Sequence, residues 1–275
     1  MSIVPTITLN SGAHIPQLGF GVFQVDPGAT KSVVLDALEV GYRHIDTAAG
    51  YDNESEVGQA IIESGIGRDE LFITTKQRPA DQADDRSGDA IKSSLDKLQL
   101  PFVDLYLIHW PTPARDLYVQ SWHALERFAA EGLTRSIGVS NFLPEHLDRL
   151  AIESGTTPAV NQIELHPQLQ QRDAELRSVR FGIAVEAWSP IARGALVDTP
   201  DVNAIAEKYG KTVAQVTLRW HIEHARIVIP RTIRKQRMVE NFELFDFALT
   251  PEEVAVIDAL ESGHRIGPDP ATNNS

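Results

Sequence analysis

Short apolar runs, each closed by polar residues and followed by a stretch with helical period, recur along most of the chain. They cover residues 42–46, 71–76, 103–109, 135–140, 160–165, 183–189 and 227–230. Most show little internal alternation, as expected of strands covered on both faces in a parallel sheet. Between them, Ile91, Leu95 and Leu98 stand at i, i+4 and i+7. Leu143, Leu147 and Leu150 repeat that spacing, as do Met238, Phe242 and Phe245, and each set predicts an amphipathic helix. Thr212 with Gln215, and Thr250 with Glu253, have capping-box spacing, the second with Pro251 at the first helical position. Near the start, the runs 6–9 and 15–18 flank Asn10, Ser11 and Gly12 and predict a β-hairpin.

The polar residues that close successive runs lie at 46, 76, 109 and 141, steps of 30, 33 and 32 residues. Each step accommodates one βα unit. A barrel and an open doubly wound sheet share this rhythm, but the open sheet marks a dinucleotide site with G-x-G-x-x-G, which is missing here. The expected architecture is therefore α/β: a (β/α)8 TIM barrel, one domain over 1–275, with the hairpin at its bottom.

In such a barrel, chemistry belongs to the C-terminal strand ends and the loops beyond them. Three consecutive ends carry Asp46, Lys76 and His109, and Tyr51 follows the first. Carbonyl reduction needs a proton donor for the oxygen as hydride reaches the carbon. A tyrosine suits that role if a nearby cation lowers its pKa from ~10. Lys76 would be that cation, Asp46 would hold and neutralise it, and His109 would orient the oxygen. Singly, these residues read as a structural ion pair, a packing tyrosine and a buried histidine. Their joint placement on adjacent strand ends favours the catalytic reading.

Composition narrows the field further. Of 275 residues, 42% are hydrophobic, enough for a sizeable core. Without cysteine there is no disulfide, thiolate metal site or cysteine nucleophile, and a reducing compartment, the cytoplasm, is expected. No run approaches the ~18 apolar residues of a membrane span, and no basic-then-apolar leader opens the chain. A net charge of −13 argues against a nucleic-acid partner.

Six motifs carry a family resemblance. They are Gly41-Tyr42-Arg43-His44-Ile45-Asp46-Thr47-Ala48 with Glu54 and Val57-Gly58 behind it, Thr74-Thr75-Lys76, and Leu105-Tyr106-Leu107-Ile108-His109-Trp110-Pro111. Ile137-Gly138-Val139-Ser140-Asn141-Phe142, Asn161-Gln162-Ile163-Glu164 and Ile229-Pro230-Arg231-Thr232 follow. In this order, from about residue 5 to 270, the chain resembles the aldo-keto reductases. Through Trp110-Pro111-Thr112-Pro113-Ala114 and Trp188 it resembles their bacterial 2,5-diketo-D-gluconate reductase branch.

That resemblance implies a tetrad of Asp46, Tyr51, Lys76 and His109, with Tyr51 as proton donor, NADPH as cofactor and no metal. It implies a nicotinamide stacked on Trp188, its carboxamide held by Ser140, Asn141 and Gln162, and a loop from Ser189 through Ile191 to Gly194 over the pyrophosphate. Arg231, Arg234 and Arg237 lie within seven residues on this acidic protein, and such a cluster matches a 2′-phosphate, which a guanidinium fork can bind bidentately. By resemblance Arg237 meets that phosphate, Arg231 and Thr232 assist, and Glu240 and Asn241 contact adenine. Arg231-Thr232 stands where many relatives carry Lys-Ser, keeping both charge and hydroxyl.

The substrate pocket is expected from Phe23, Tyr51, Trp110, the loop 77–86 and the tail from 263. Gln77-Arg78 replaces the apolar residue and Trp common in relatives, which points to small or polar carbonyls rather than steroids. A monomer is expected, binding a small-molecule carbonyl substrate. Two other readings remain. One is a metal-dependent barrel hydrolase using His44, Asp46, His109 and His166; the other is a non-enzymatic NADPH-binding module.

Overall fold

A computed structural model describes residues 4–274, apart from the side chains of 84 and 85. Met1 to Ile3, part of the leader argument, and Ser275 at the end of the tail lie outside them. The chain opens with the expected hairpin: β1 (Thr6–Thr8) runs antiparallel to β2 (His14–Pro16), with Thr8 opposite His14. Strands and helices then alternate as β3 (Phe20–Gly21), α1 (Pro27–Val40), β4 (His44–Asp46), α2 (Glu54–Ser64), β5 (Phe72–Gln77), α3 (Asp84–Leu98), β6 (Val103–Ile108) and α4 (Tyr118–Ala130). They continue as β7 (Thr134–Ser140), α5 (Pro144–Glu153), β8 (Val160–Glu164), α6 (Arg172–Arg180) and β9 (Ala184–Trp188). After α7 (Pro200–Tyr209) and α8 (Val213–Glu223) come β10 (Ile227–Val228), α9 (Lys235–Phe242) and α10 (Pro251–Asp258).

The strands β3 to β10 lie side by side in chain order, all parallel. Leu18 bridges Val228, and the Gly19 amide donates to the Val228 carbonyl at 2.8 Å, which joins the two edges and closes the expected barrel. Each of the seven apolar runs overlaps a strand, although β5 continues one residue past its run to Gln77 and β7 begins one residue before its run at Thr134. The first barrel strand, β3, is two residues long, too short to show a period of its own.

Two of the helix patterns overran their elements. Leu143 is the residue before α5, and Phe245 lies beyond α9, whose end is marked by the non-helical backbone of Glu243. Both capping boxes form, Thr212 and Thr250 each accepting from the amide three residues on.

Burial divides the strand residues by face. Outward-facing Ile45, Ile73, Tyr106, Ile108, Ile163, Val185 and Val228 pack against the helices. Phe72, Leu105, Leu107, Val160 and Ile227 instead gather around Leu9 and Ile15 of the hairpin region. The hairpin thus seals the lower barrel with apolar side chains, and its turn is fastened by Asn10 donating to the Pro158 carbonyl at 2.9 Å and by a 2.7 Å bond between Ser11 and Ser136. The upper interior is polar, and the candidate site lies there.

Candidate active site

Side chains two apart on a strand share a face. His44 and Asp46 on β4, Thr74 and Lys76 on β5, and Glu186 and Trp188 on β9 accordingly line one polar wall. Near its rim Lys76 meets Asp46. Its Nζ donates to Asp46 Oδ1 at 2.5 Å, to the Thr47 carbonyl at 2.8 Å and to the Tyr51 hydroxyl at 3.3 Å. Both members of the pair are buried. Burial pulls the Lys76 pKa down, but Asp46 and Tyr51 more than reverse it, so the ammonium sits above its ordinary value and stays charged.

Tyr51 ends the helical turn Ala49–Tyr51 that follows β4. Its ring meets His109 edge to face, centroids 5.6 Å apart, and Phe23 lies 5.0 Å from it on the open side. His109 extends β6 by one residue, its amide bonded to the Gln77 carbonyl at 3.2 Å, and Trp110 stacks on it at 6.4 Å. Burial, then the Lys76 charge, pushes the His109 imidazole down to about 3, so it is neutral at physiological pH.

One expectation is corrected. Burial raises the Tyr51 hydroxyl above its ordinary value, and the Lys76 ammonium offsets this only in part. Removing a phenolate from water outweighs what one cation at 3.3 Å restores. Tyr51 is therefore a proton-loaded phenol rather than an unusually acidic one.

Beside the tetrad, amides and an indole interlock. Asn141, at a left-handed φ of 64°, donates to the His109 carbonyl and to the Ser140 hydroxyl, both at 3.0 Å, and accepts from the Trp188 indole N–H at 2.9 Å. Ser140 in turn donates to the Gln162 carbonyl at 2.9 Å. The Gln162 side-chain nitrogen serves two carboxylates, Asp46 at 2.8 Å and Glu186 at 2.7 Å. The donors of both amides are thus engaged by the protein itself, leaving acceptor capacity on their oxygens.

The tail closes over this group. The Ile266 and Gly267 amides donate to the Glu164 carboxylate at 2.6 and 2.9 Å, and a Cβ on Gly267 would stand 2.4 Å from the Trp188 ring. Further on, Asn274 accepts from the Ala114 amide at 2.8 Å, tying the tail to the loop after β6.

The cations after β10 fall into two kinds. Lys235 is held by Asp36 and Glu39, at 3.1 and 2.7 Å, and Arg231 donates to the Gln24 carbonyl at 2.8 Å. Arg234 and Arg237 are exposed and have no carboxylate partner among the described residues, at the N-terminal end of α9. Thr232 accepts from the Arg234 amide at 3.2 Å; Glu240 is half-buried and Asn241 buried against the core. Ser189 and Ile191, both half-buried, follow β9, the strand that pairs with β10 ahead of these cations. Arg78 is committed to Asp81 at 2.9 Å, and Gln77 is buried, bonded to Ser87 at 2.7 Å, so neither stands free in the cleft.

A family model described as "Aldo/keto reductase family" matches residues 17–262. The chain belongs to the aldo-keto reductases. Among relatives of this aldo-keto reductase, an "Aldo-keto reductase" of Mycobacterium sp. (strain KMS) is 47% identical over 270 residues, 98% of each chain. "Methylglyoxal reductase DkgA" of Escherichia coli (strain K12) is 46% identical over 266 residues, 96% of each chain. Of solved structures, an aldo/keto reductase from Brucella melitensis is similar at 50% identity with a TM-score of 0.91, covering 94% of this chain and all of that one. A Bombyx mori aldo-keto reductase in complex with NADP is similar at 39% identity and a TM-score of 0.92, over 98% and 96% of the two chains.

Several residues that shape this reductase's site escaped the sequence patterns. Gln82 donates to the Trp110 carbonyl at 2.6 Å and accepts from Thr112 at 2.7 Å, fixing the wall after β6, and nothing in its surroundings marks it. Glu186 did carry a signal, a lone carboxylate inside an apolar run, where an acidic residue is rarely buried without a partner. His44 faces Glu186 and His166 faces Glu164, and among the described residues no three His, Asp or Glu gather to hold a metal. No helix among them is long and apolar enough to cross a membrane.

Proposed function

We propose that this aldo-keto reductase uses NADPH to reduce small aldehydes, α-dicarbonyls or keto-sugars, with Tyr51 giving its proton to the carbonyl oxygen. The observation that carries this reading is the Lys76 ammonium, buried and bonded at once to Asp46 and to the Tyr51 hydroxyl. That contact stabilises the phenolate that remains once the proton has left. Asp46 keeps Lys76 charged, and His109, a neutral imidazole, directs the substrate oxygen toward the hydroxyl. The methylglyoxal reductase relative and the NADP complex of the Bombyx mori reductase support the substrate and cofactor readings.

The residues present suit NADPH. Trp188 offers a half-buried indole whose orientation is locked by Asn141, an apolar platform for a nicotinamide. Ser140, Asn141 and Gln162 would hold the ring's carboxamide, chiefly through the two amide oxygens left without full use. Ser189 and Ile191 would lie along the pyrophosphate, and Glu240 and Asn241 at the adenine. Arg234 and Arg237, uncompensated beside a helix N-terminus, suit a 2′-phosphate, with Arg231 and Thr232 in support. The cofactor, when bound, supplies the hydride. Phe23 and Trp110 flank Tyr51 and His109 as walls for the substrate. The described tail from 268 adds no aromatic side chain, and Arg78 is neutralised by Asp81, which leaves room for compact carbonyls. In keeping with the family resemblance, we propose a monomer acting as one domain, in the cytoplasm.

NADPH oxidation across a panel of aldehydes, α-dicarbonyls, keto-sugars and a steroid ketone tests this. Methylglyoxal or phenylglyoxal should turn over and the steroid poorly; the reverse order would overturn the substrate reading. Tyr51→Phe should lower turnover by about 10²–10⁴-fold while leaving NADPH binding, followed by fluorescence, within about twofold. A fully active Tyr51→Phe would remove the proton donor, and no reduction by the wild type would favour a cofactor-binding module without activity.

A further inference from the structure

Glu186 lies beneath the tetrad, fully buried, and the proposed reaction gives it no part. Its Oε2 accepts from Gln162 Nε2 at 2.7 Å. The same nitrogen donates to Asp46 Oδ2 at 2.8 Å, while Asp46 Oδ1 takes Lys76 at 2.5 Å. A continuous hydrogen-bonded chain, buried from Lys76 inward, therefore runs from the half-buried Tyr51 through Lys76, Asp46 and Gln162 to Glu186. The second Glu186 oxygen has no hydrogen bond, and His44 Nε2 stands 3.6 Å from it. Room for that imidazole exists only because residue 19 is glycine, where a Cβ would fall 2.5 Å from His44 Nδ1.

We propose that Glu186 is a positioning residue for the reducing site: uncharged, it holds the Gln162 amide so that Asp46 keeps one oxygen on Lys76. The proposal rests on Tyr51 being the proton donor. The titratable groups facing Glu186 are His44 and Asp46 from β4, Lys76 from β5 and Tyr51 from the turn after β4. Burial, then the Asp46 charge, pushes Glu186 up to about 8, against the pull of Gln162 and Lys76. Burial also holds His44 down to about 3, so it brings no positive charge. One ammonium cannot compensate two buried carboxylates, and one of them keeps its proton. When Glu186 does ionise, its charge raises Tyr51 further, and a weaker acid donates its proton more slowly. Turnover should fall as pH rises through about 8.

The test uses the full chain and the isosteric, uncharged Glu186→Gln. In the cofactor-free protein, carboxyl carbon-13 NMR should show one glutamate titrating near 8 that is missing from the variant. Linkage gives the same sign: the folded chain keeps a proton that the unfolded chain releases near 4.5, so wild-type stability relative to the variant falls as pH rises from there to about 8, then levels. With NADPH and methylglyoxal, wild-type kcat should drop about three- to tenfold between pH 7 and 9. Glu186→Gln should stay within about threefold of wild type at pH 7 and remain flat to pH 9. Glu186→Leu, which leaves a Gln162 donor unmatched, should lose about tenfold or more in kcat with KM within about twofold. A glutamate titrating only in the ordinary range, or an alkaline limb unchanged in Glu186→Gln, overturns the proposal. Should Glu186→Leu fail to fold, Glu186→Gln decides alone. Should the wild type reduce no carbonyl, the Tyr51 reading falls, and the NMR titration still decides whether Glu186 is held neutral.

Discussion

Lys76 and Arg237 carry the same formal charge and sit in opposite circumstances. Lys76 is sealed in the barrel, where a lone ammonium would lose its proton, and it survives charged because Asp46 lies at 2.5 Å. Arg237 stands in water with no carboxylate among the described residues to hold it, while Lys235 beside it is already taken by Asp36 and Glu39. A compensated charge organises the protein; an uncompensated one is available to a ligand. Arg237→Ala should therefore raise the Kd for NADPH about tenfold or more, since a charge-assisted bond contributes roughly 1.5–3 kcal/mol, and change that for NADH less than about twofold. Fluorescence titration of both cofactors measures it, and equal losses would count against a phosphate at this position. The cluster itself was legible from spacing. Which of its members is free was not, because Asp36 and Glu39 are about two hundred residues away along the chain.

At the scale of elements, local chemistry dominates. Thr250 begins α10 by accepting from the Glu253 amide, while Glu253 returns a bond to the Thr250 amide at 2.8 Å. Those contacts lie within four residues, so the sequence pattern announced them. Thr250→Ala should cost about 1 kcal/mol in urea unfolding, and Thr250→Ser should recover most of it. A loss under a few tenths would mean that tertiary contacts hold α10 without its cap. The overrun at Phe245 shows the limit of such patterns. An apolar residue can keep helical spacing after the backbone has left the helix, if the core still receives it.

Across the whole molecule, the barrel separates stability from chemistry by height. The hairpin and Leu105, Leu107 and Phe72 fill the lower interior with apolar side chains, and the polar wall occupies the top. Ile15 is fully buried in that lower cluster. Ile15→Ala should destabilise the fold by about 2–5 kcal/mol, through lost transfer energy and the cavity left behind, with kcat/KM within about twofold. Chemical denaturation and steady-state rates on one preparation would test both halves. A large loss of activity in a variant that stays folded would show that the two layers are coupled.

Strand rhythm, capping boxes, hairpin turn and the order of chemically capable strand ends are local or periodic properties, and the amino-acid sequence alone carries them. Three features needed the closed barrel. The two-residue strand β3 is defined by its neighbours, the Pro230 carbonyl that accepts from the Gly21 amide on one side and Ile45 opposite Phe20 on the other, rather than by its own composition. The joining of Asp46 to Gln162 and Glu186 unites residues 116 and 24 positions from Gln162, a meeting that only strand register arranges. The Tyr51 proton, finally, is governed by burial set against one ammonium. Residue type names the competitors in that balance, but depth below the surface and a distance of 3.3 Å decide it, and both exist only once the chain has folded.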